Sequence, residues 1–291
     1  MPTKPKYIDI HCHLNFKVFD EDSDAVIRRA LENNTWLINV GTQLDTSKVA
    51  VEMAHQYEEG VYAVIGLHPI HTSASYHDEK ELGEGGKEFT SRGEVLDKKV
   101  YTELLRDPKV VAIGECGLDY FRTEPEFLDK QKEAFIEQIE IANEVGKPLM
   151  LHVRDARPDE PMFGQAYIDT LKILKEYAKV KGVVHFFAGN GEEAKSFLDL
   201  GFMLSFTGAI TFPPRKDGSG CNYEEVIKNV PLDMILTDTD SPYLAPVPYR
   251  GKRNEPSYVN EIVKKIAEIK GLSEEEVASA IVANAKRLFT F

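Results

Sequence analysis

The chain has 291 residues, 42% hydrophobic and 29% charged, with a formal net charge of −13. This is an ordinary globular mixture, long enough for a sizeable core and of a length at which a barrel of about 250 residues still counts as one domain. An acidic chain repels a polyanion at long range, which argues against a general nucleic-acid-coating protein, so any phosphodiester substrate must be held locally by metal ions and a few arginines.

Short apolar runs alternate with longer amphipathic segments throughout. A strand at Tyr7–His11 precedes a helix at Asp22–Asn33, and a strand at Trp36–Val40 precedes a helix at Thr46–Tyr57. A third strand is predicted at Val61–Leu67. The polar segment Ser73–Leu96, with Gly83, Gly85 and Gly86, breaks the repeat and reads as a long loop or lid. A fourth strand at Val110–Ile113 leads to a helix at Glu126–Val145, stopped by Gly146-Lys147-Pro148. Strands at Pro148–Val153 and Gly182–Phe187 are followed by helices at Gln165–Ala178 and Glu192–Leu200. A strand at Phe202–Phe206, a loop at Phe212–Tyr223 and a strand at Met234–Thr237 come next. Helices at Pro256–Ile269 and Ser273–Arg287 close the chain, the second opening on the capping-box pattern Ser273-Glu274-Glu275-Glu276. Several strands lack polar alternation, as strands buried on both faces do. Eight strands with intervening helices imply parallel βα units. One repeating pattern without a linker favours a closed α/β (β/α)8 TIM barrel, a single domain over 1–291, to an open sheet.

Cys12, Cys116 and Cys221 are scattered, odd in number and form no CxxC pair, which argues against a disulfide framework and for a reducing compartment. The opening residues lack the apolar segment of a signal peptide, and no stretch approaches the ~20 apolar residues of a membrane span. A soluble, cytoplasmic protein is expected.

The chemistry concentrates where apolar strands run out into His, Glu or Asp, and barrel enzymes draw catalytic groups from the C-terminal ends of several strands. In Ile8-Asp9-Ile10-His11-Cys12-His13, period-two geometry puts His11 and His13 on one face, a metal clip or a pair of satisfied structural histidines. Glu115 follows an apolar run and is costly there unless metal-bound or paired, for instance with Arg122 or Arg154. His152 and His185 end successive strands. Each alone reads as a core histidine, but the two together are a less ordinary coincidence. Asp238 and Asp240 end the eighth strand, where one of them has a rival reading as a turn or helix cap before Pro242. Together His11, His13, Glu115, His152, His185 and Asp240 make a six-ligand set from five strand ends, a donor mixture suited to Zn or Mn, with Mg at an oxygen-rich position.

With these residues in order, the chain resembles the TatD family of metal-dependent nucleases, within the amidohydrolase-like barrels, over nearly its whole length. Asp9-Ile10-His11-Cys12-His13-Leu14 matches D-x-H-x-H-L, and Gly66-Leu67-His68-Pro69 matches G-x-H-P. Gly114-Glu115-Cys116-Gly117-Leu118-Asp119-Tyr120 matches G-E-x-G-L-D-[YF], and His152-Val153-Arg154-Asp155-Ala156 matches H-x-R-x-A. His185-Phe186-Phe187-Ala188-Gly189 is similar to H-x-F-x-G, and Thr239-Asp240-Ser241-Pro242-Tyr243-Leu244 matches T-D-x-P-Y-L. The resemblance implies that His11 and His13 hold one metal with Asp240, that His152 and His185 hold a second, and that Glu115 bridges them. It implies that Asp240 takes the proton of the attacking water, and that Arg122 and Arg154 contact substrate phosphate, with His68 near the same face. Arginine forks match phosphate oxygens. Three departures stand out: Asp238 where the family has Glu, Phe186 and Ala188 in place of Cys and Ser, and the length of Ser73–Leu96.

The resemblance implies 3′→5′ exonuclease action on single-stranded DNA ends, with two divalent ions (Mg, Mn or Zn), no membrane and no obligate protein partner. The same metals polarise a carbonyl as well as a phosphoryl, so an ester or amide hydrolase, including one that removes D-amino acids from charged tRNA, is a rival on the same barrel. Phosphotriesterase-like relatives bridge their metals with a modified Lys after the fourth strand, where Glu115 stands here. A barrel kept only as a binding scaffold is a rival of another class, against which all six ligands speak. The sequence shows no aromatic-and-basic stripe, and so no support for processive tracking.

Overall fold

A computed structural model describes residues 4–74, 76–77, 89–90, 93–121, 123–214 and 220–291. Eight strands follow chain order in one sheet: β1 (Tyr7–Cys12), β2 (Thr35–Val40), β3 (Val61–Ile65), β4 (Val110–Asp119), β5 (Leu149–Arg154), β6 (Gly182–Val184), β7 (Met203–Phe206) and β8 (Ile235–Thr237). The helices between and after them are α1 (Ser23–Glu32), α2 (Leu44–His55), α3 (Lys98–Leu104), α4 (Leu128–Val145), α5 (Gln165–Tyr177), α6 (Gly191–Asp199), α7 (Tyr223–Asn229), α8 (Val259–Lys270) and α9 (Glu274–Phe289). Every residue of β1, β2 and β4 is buried, which is why those runs lack polar alternation.

The chain divides into two compact units. The first comprises Met1–Asn39, Tyr57–Val61 and His185–Phe291. In it β1 pairs in parallel with β2, and β7 with β8. β8 is fastened to β1 by the Thr237 hydroxyl on the Ile8 carbonyl (3.1 Å) and by a parallel bridge between Cys12 and Ser241. α9 opens on the expected capping box, Ser273 accepting from the Glu276 N–H while Glu276 reaches back to Ser273.

The second unit comprises Val40–Gln56 and Tyr62–Val184, and β3, β4, β5 and β6 pair in parallel within it. α4 stops at Gly146, whose φ of 71° is the left-handed cap expected from Gly146-Lys147-Pro148. One face of α4 also does the work of a strand. The buried Gln138 amide accepts from the Leu67 N–H (2.8 Å) and donates to the Leu67 carbonyl (3.0 Å), holding the chain one residue before His68.

The fourth strand does not stop at Ile113. Its ladder with β5 is interrupted after Ile113 and resumes at Cys116↔Leu151, so Glu115 lies inside a ten-residue strand. Two helices were not foreseen, α3 and α7. Both have seven residues, too few for a clear 3.6-residue period, and they rest on caps from Asp97 and Asn222. β6 is three residues long and leaves His185 just beyond its end. Most of Ser73–Leu96 and the centre of Phe212–Tyr223 lie outside the described residues; within the first, Tyr76–His77 pairs antiparallel with Phe89–Thr90.

Among the described residues no helix is long and apolar enough to cross a membrane. Replacing Gln138 with Ala leaves two buried backbone groups of Leu67 unpaired. The expected cost is about 2–3 kcal/mol, read as a lower urea midpoint with unchanged slope, and a loss below about 0.5 kcal/mol contradicts the role.

Candidate metal centre

In the first unit His11, His13, His185 and Asp240 come together. His11 and His13 sit on and just past β1, and their Nε2 atoms are 3.1 Å apart, with the rings edge to face. Asp240 Oδ1 lies 3.9 Å from His11 Nε2 and 3.6 Å from His13 Nε2. The point equidistant from these three atoms is about 2.1 Å from each, the length of a bond from Zn or a similar ion to nitrogen or oxygen. His185 stacks on His11 with ring centroids 3.8 Å apart, and His11, His185 and Asp240 each offer a ligand atom within 4.8 Å of the others. Phe16 stacks on His13 with ring centroids 4.4 Å apart.

The backbone is bent to achieve this. Asp240 (φ 52°) and Phe186 (φ 43°) adopt left-handed conformations that cost a non-glycine residue about 1–3 kcal/mol. Hydrogen bonds hold both: Asp240 N–H on the His11 carbonyl (2.9 Å) and Phe186 N–H on Asp238 Oδ2 (3.3 Å). Asp238 also accepts from the Ser205 hydroxyl, so it braces the His185 turn from behind instead of capping a helix. Asp9 accepts from the Thr239 N–H (2.8 Å) and hydroxyl (2.5 Å), clamping β1 to the residue before Asp240. Burial pushes the Asp9 carboxyl well above the usual range and that of Asp238 up to about 6. Burial also opposes ionisation of Asp240, but the His13 hydrogen bond and the nearby His185 and His11 outweigh it and hold Asp240 below the usual carboxylate range.

In the second unit Glu115, His152 and His68 converge. His152 Nδ1 is 2.7 Å from Glu115 Oε1, while His68 Nε2 lies 3.4 Å from that oxygen and 3.2 Å from His152 Nδ1. The three atoms surround a point about 1.8 Å from each, so an ion slightly off their plane meets ordinary ligand distances. His152 Nε2 bonds Asp119 at 2.9 Å, which directs Nδ1 toward Glu115. Gly117 permits the close approach of β5: a Cβ there would lie 2.1 Å from the His152 carbonyl. Burial opposes a charge on His152, yet the bonds to Asp119 and Glu115 dominate and raise it to about 9. Burial lowers His68 below its ordinary value.

Arg154 stacks on Phe121 with its guanidinium carbon 3.9 Å from the ring centroid, Arg157 lies 5.1 Å from the same ring, and the charge of Arg154 helps hold Asp119 ionised. Arg122 lies outside the described residues. Every other residue singled out in the sequence falls in one of the two groups or, for Arg154, beside the second. His68, expected as a substrate contact, stands among the donors. Asp9 and Asp119 were missed as site residues, although period two from Glu115 through Gly117 puts Asp119 on the same strand face.

Parallel strands ending in buried imidazole and carboxylate clusters able to bind metal, with proton-accepting carboxylates beside them, define a metal-dependent hydrolase. The family model described as TatD related DNase matches residues 8–290. The metal-dependent hydrolase YabD of Bacillus subtilis is 40% identical over 97% of this chain and 98% of its own length. The metal-dependent hydrolase YcfH of Escherichia coli K12 is 34% identical over 97% and 95%. The crystal structure of YJJV, a TatD homologue from Escherichia coli K12, superposes with a TM-score of 0.79 at 26% identity over 98% of each chain. The chain belongs to the TatD family, and its fold class is the family's (β/α)8 barrel.

In chelator-treated protein the raised His152 value has a definite sign. Its stabilisation is complete below its ordinary value of 6.5 and is lost as pH rises through about 9. A bound cation competes with that proton, so metal affinity is expected to rise with pH across the same window. Calorimetric titration with Mn²⁺ at several pH values checks this, and a pH-independent affinity contradicts it.

Proposed function

We propose that this hydrolase is a 3′→5′ exodeoxyribonuclease that cleaves phosphodiester bonds at single-stranded DNA ends with two divalent ions (Mg, Mn or Zn). The observation that carries the reading is the His11–His13–Asp240 triangle, whose centre lies at metal-ligand distance from all three donors. In this reading His11, His13 and Asp240 would hold one ion, His152 and His185 a second with His68 as a further donor, and Glu115 would be shared between them. In this reading residues 1–291 are a single hydrolase domain. Three free cysteines fit action in a reducing cytoplasm.

Bound divalent ions lower the pKa of water and stabilise the attacking and leaving oxygens. The chain's own groups do the rest. Asp240, whose carboxyl is held below the usual range, takes the proton of the attacking water at the carboxylate oxygen that is not committed to the ion. Asp9 and Asn254 fix the backbone around it, Asn254 donating to the Thr239 carbonyl (2.8 Å). Asp119 keeps His152 in one orientation. Arg154, braced on Phe121, grips substrate phosphate, and Arg122 is assigned the same task.

The test is hydrolysis of end-labelled single-stranded DNA with Mg²⁺, Mn²⁺ or Zn²⁺ and with chelator. A ladder shortening from the 3′ end is expected, lost with chelator and reduced about 10²–10⁴-fold in Asp240→Asn. Intact DNA beside deacylated D-aminoacyl-tRNA moves the reaction to ester hydrolysis on the same site, and a metal-free, inactive protein leaves only a scaffold.

A further inference from the structure

Residues 241–254, which carry the chain away from Asp240, hold three cations, Arg250, Lys252 and Arg253, and no acidic residue, in a protein with 48 acids against 35 Lys and Arg. The segment is tied into the first unit at both ends. Tyr243 N–H donates to the Asp240 carbonyl (2.8 Å), and the Asn254 amide returns to the carbonyls of Thr239 and Tyr243. In its middle, Val247 N–H donates to Thr211 Oγ1 at 2.9 Å, docking it against the loop after β7.

The three cations divide by use. Arg253 is spent on the fold: it donates to the Val18 carbonyl and to Asp22 and covers Phe19. Arg250 and Lys252 are exposed, and neither makes an ion pair with a described residue. Each lies against an aromatic face. Arg250 is 4.2 Å over the partly buried Phe212 ring, and Lys252 is 5.9 Å from Tyr249, which itself stacks flat on Tyr258 at 3.9 Å. Cations set beside partly open aromatic rings are the elements that bind an unpaired strand: the rings take bases and the cations take phosphates. The sequence hides the pattern because Phe212 and Tyr249 arrive on different loops.

We propose that Tyr249, Arg250, Lys252 and Phe212 form a ledge that holds the single-stranded nucleic acid chain leading away from the phosphate being cleaved. This rests on the nuclease reading above and adds to it a site for the body of the strand on the loop that follows Asp240. It also resolves the charge conflict of an acidic nuclease, since the repulsion is cancelled on one loop and not over the whole surface. A duplex, with its bases stacked internally, gains only the charge component.

The experiment compares the Mn²⁺-loaded wild type with the Arg250→Gln/Lys252→Gln double variant and with Tyr249→Leu. Substrates are an oligothymidylate of about 12 nucleotides and a thymidine dinucleotide, at several salt concentrations. The double variant is expected to raise KM for the long strand on the order of tenfold, and for the dinucleotide much less, and to flatten the salt dependence of log KM by about 1.4, some 0.7 per lost phosphate contact. Tyr249→Leu, which keeps the bulk under the loop, is expected to raise KM for the long strand without changing the salt slope. Equal KM changes for both substrates, or none, with an unaltered salt slope in an active enzyme, overturn the ledge and leave the nuclease standing. Wild type that cleaves neither substrate overturns the nuclease reading and the ledge with it.

Discussion

Burying a carboxylate costs several kcal/mol unless something cationic or hydrogen-bonding answers it, and this chain does so within or just past three strands. Asp9, Glu115, Asp119 and Asp238 are all nearly inaccessible to solvent, and Asp240 is mostly so. Each is met by an imidazole, a hydroxyl or a backbone N–H, and the answers are ordered. Asp9 is answered by Thr239 and the His11 backbone and Asp238 through one oxygen by Ser205 and the Phe186 N–H, and both lean toward neutrality. Asp119 and Asp240 are held ionised beside histidines. The first pair shapes the backbone, and the second carries charge where a cation can use it.

That ordering explains how local strain persists. Asp240 and Phe186 would leave the left-handed region if they were free to do so. They stay because the hydrogen bonds of their own N–H groups, to His11 and Asp238, close over them. Gln138, on a helix, performs the same service for the backbone before His68. The donor groups are thus set by contacts one residue away from them, and small errors in that surrounding layer translate directly into ligand geometry.

The strands and most of the donors were legible because buried parallel strands are almost wholly apolar, so a His or Asp at their ends stands out. Strand periodicity put His11 and His13 on one face and left open whether they bind metal or are a satisfied structural pair. Asp119 did not, because the ladder irregularity beside Glu115 disguises a ten-residue strand as a four-residue one followed by a loop. α3 and α7 were illegible for another reason: seven residues carry too little periodicity, and their stability comes from caps and packing. The cation–aromatic pairs of the loop after β8 exist only once the chain is folded, since Arg250 meets Phe212 across a gap of 38 positions in sequence.

The fold also separates two tasks that composition alone sets at odds. A net charge of −13 disfavours a polyanion at long range, whereas metal-dependent hydrolysis draws on donors and cations at short range. Anomalous scattering from crystals soaked in Mn²⁺ tests the central claim most directly. The account expects two peaks, one at about 2.1 Å from the donor atoms of His11, His13 and Asp240, the other coordinated by Glu115 and His152. Peaks absent from these donors, with the side chains ordered as described, would contradict it.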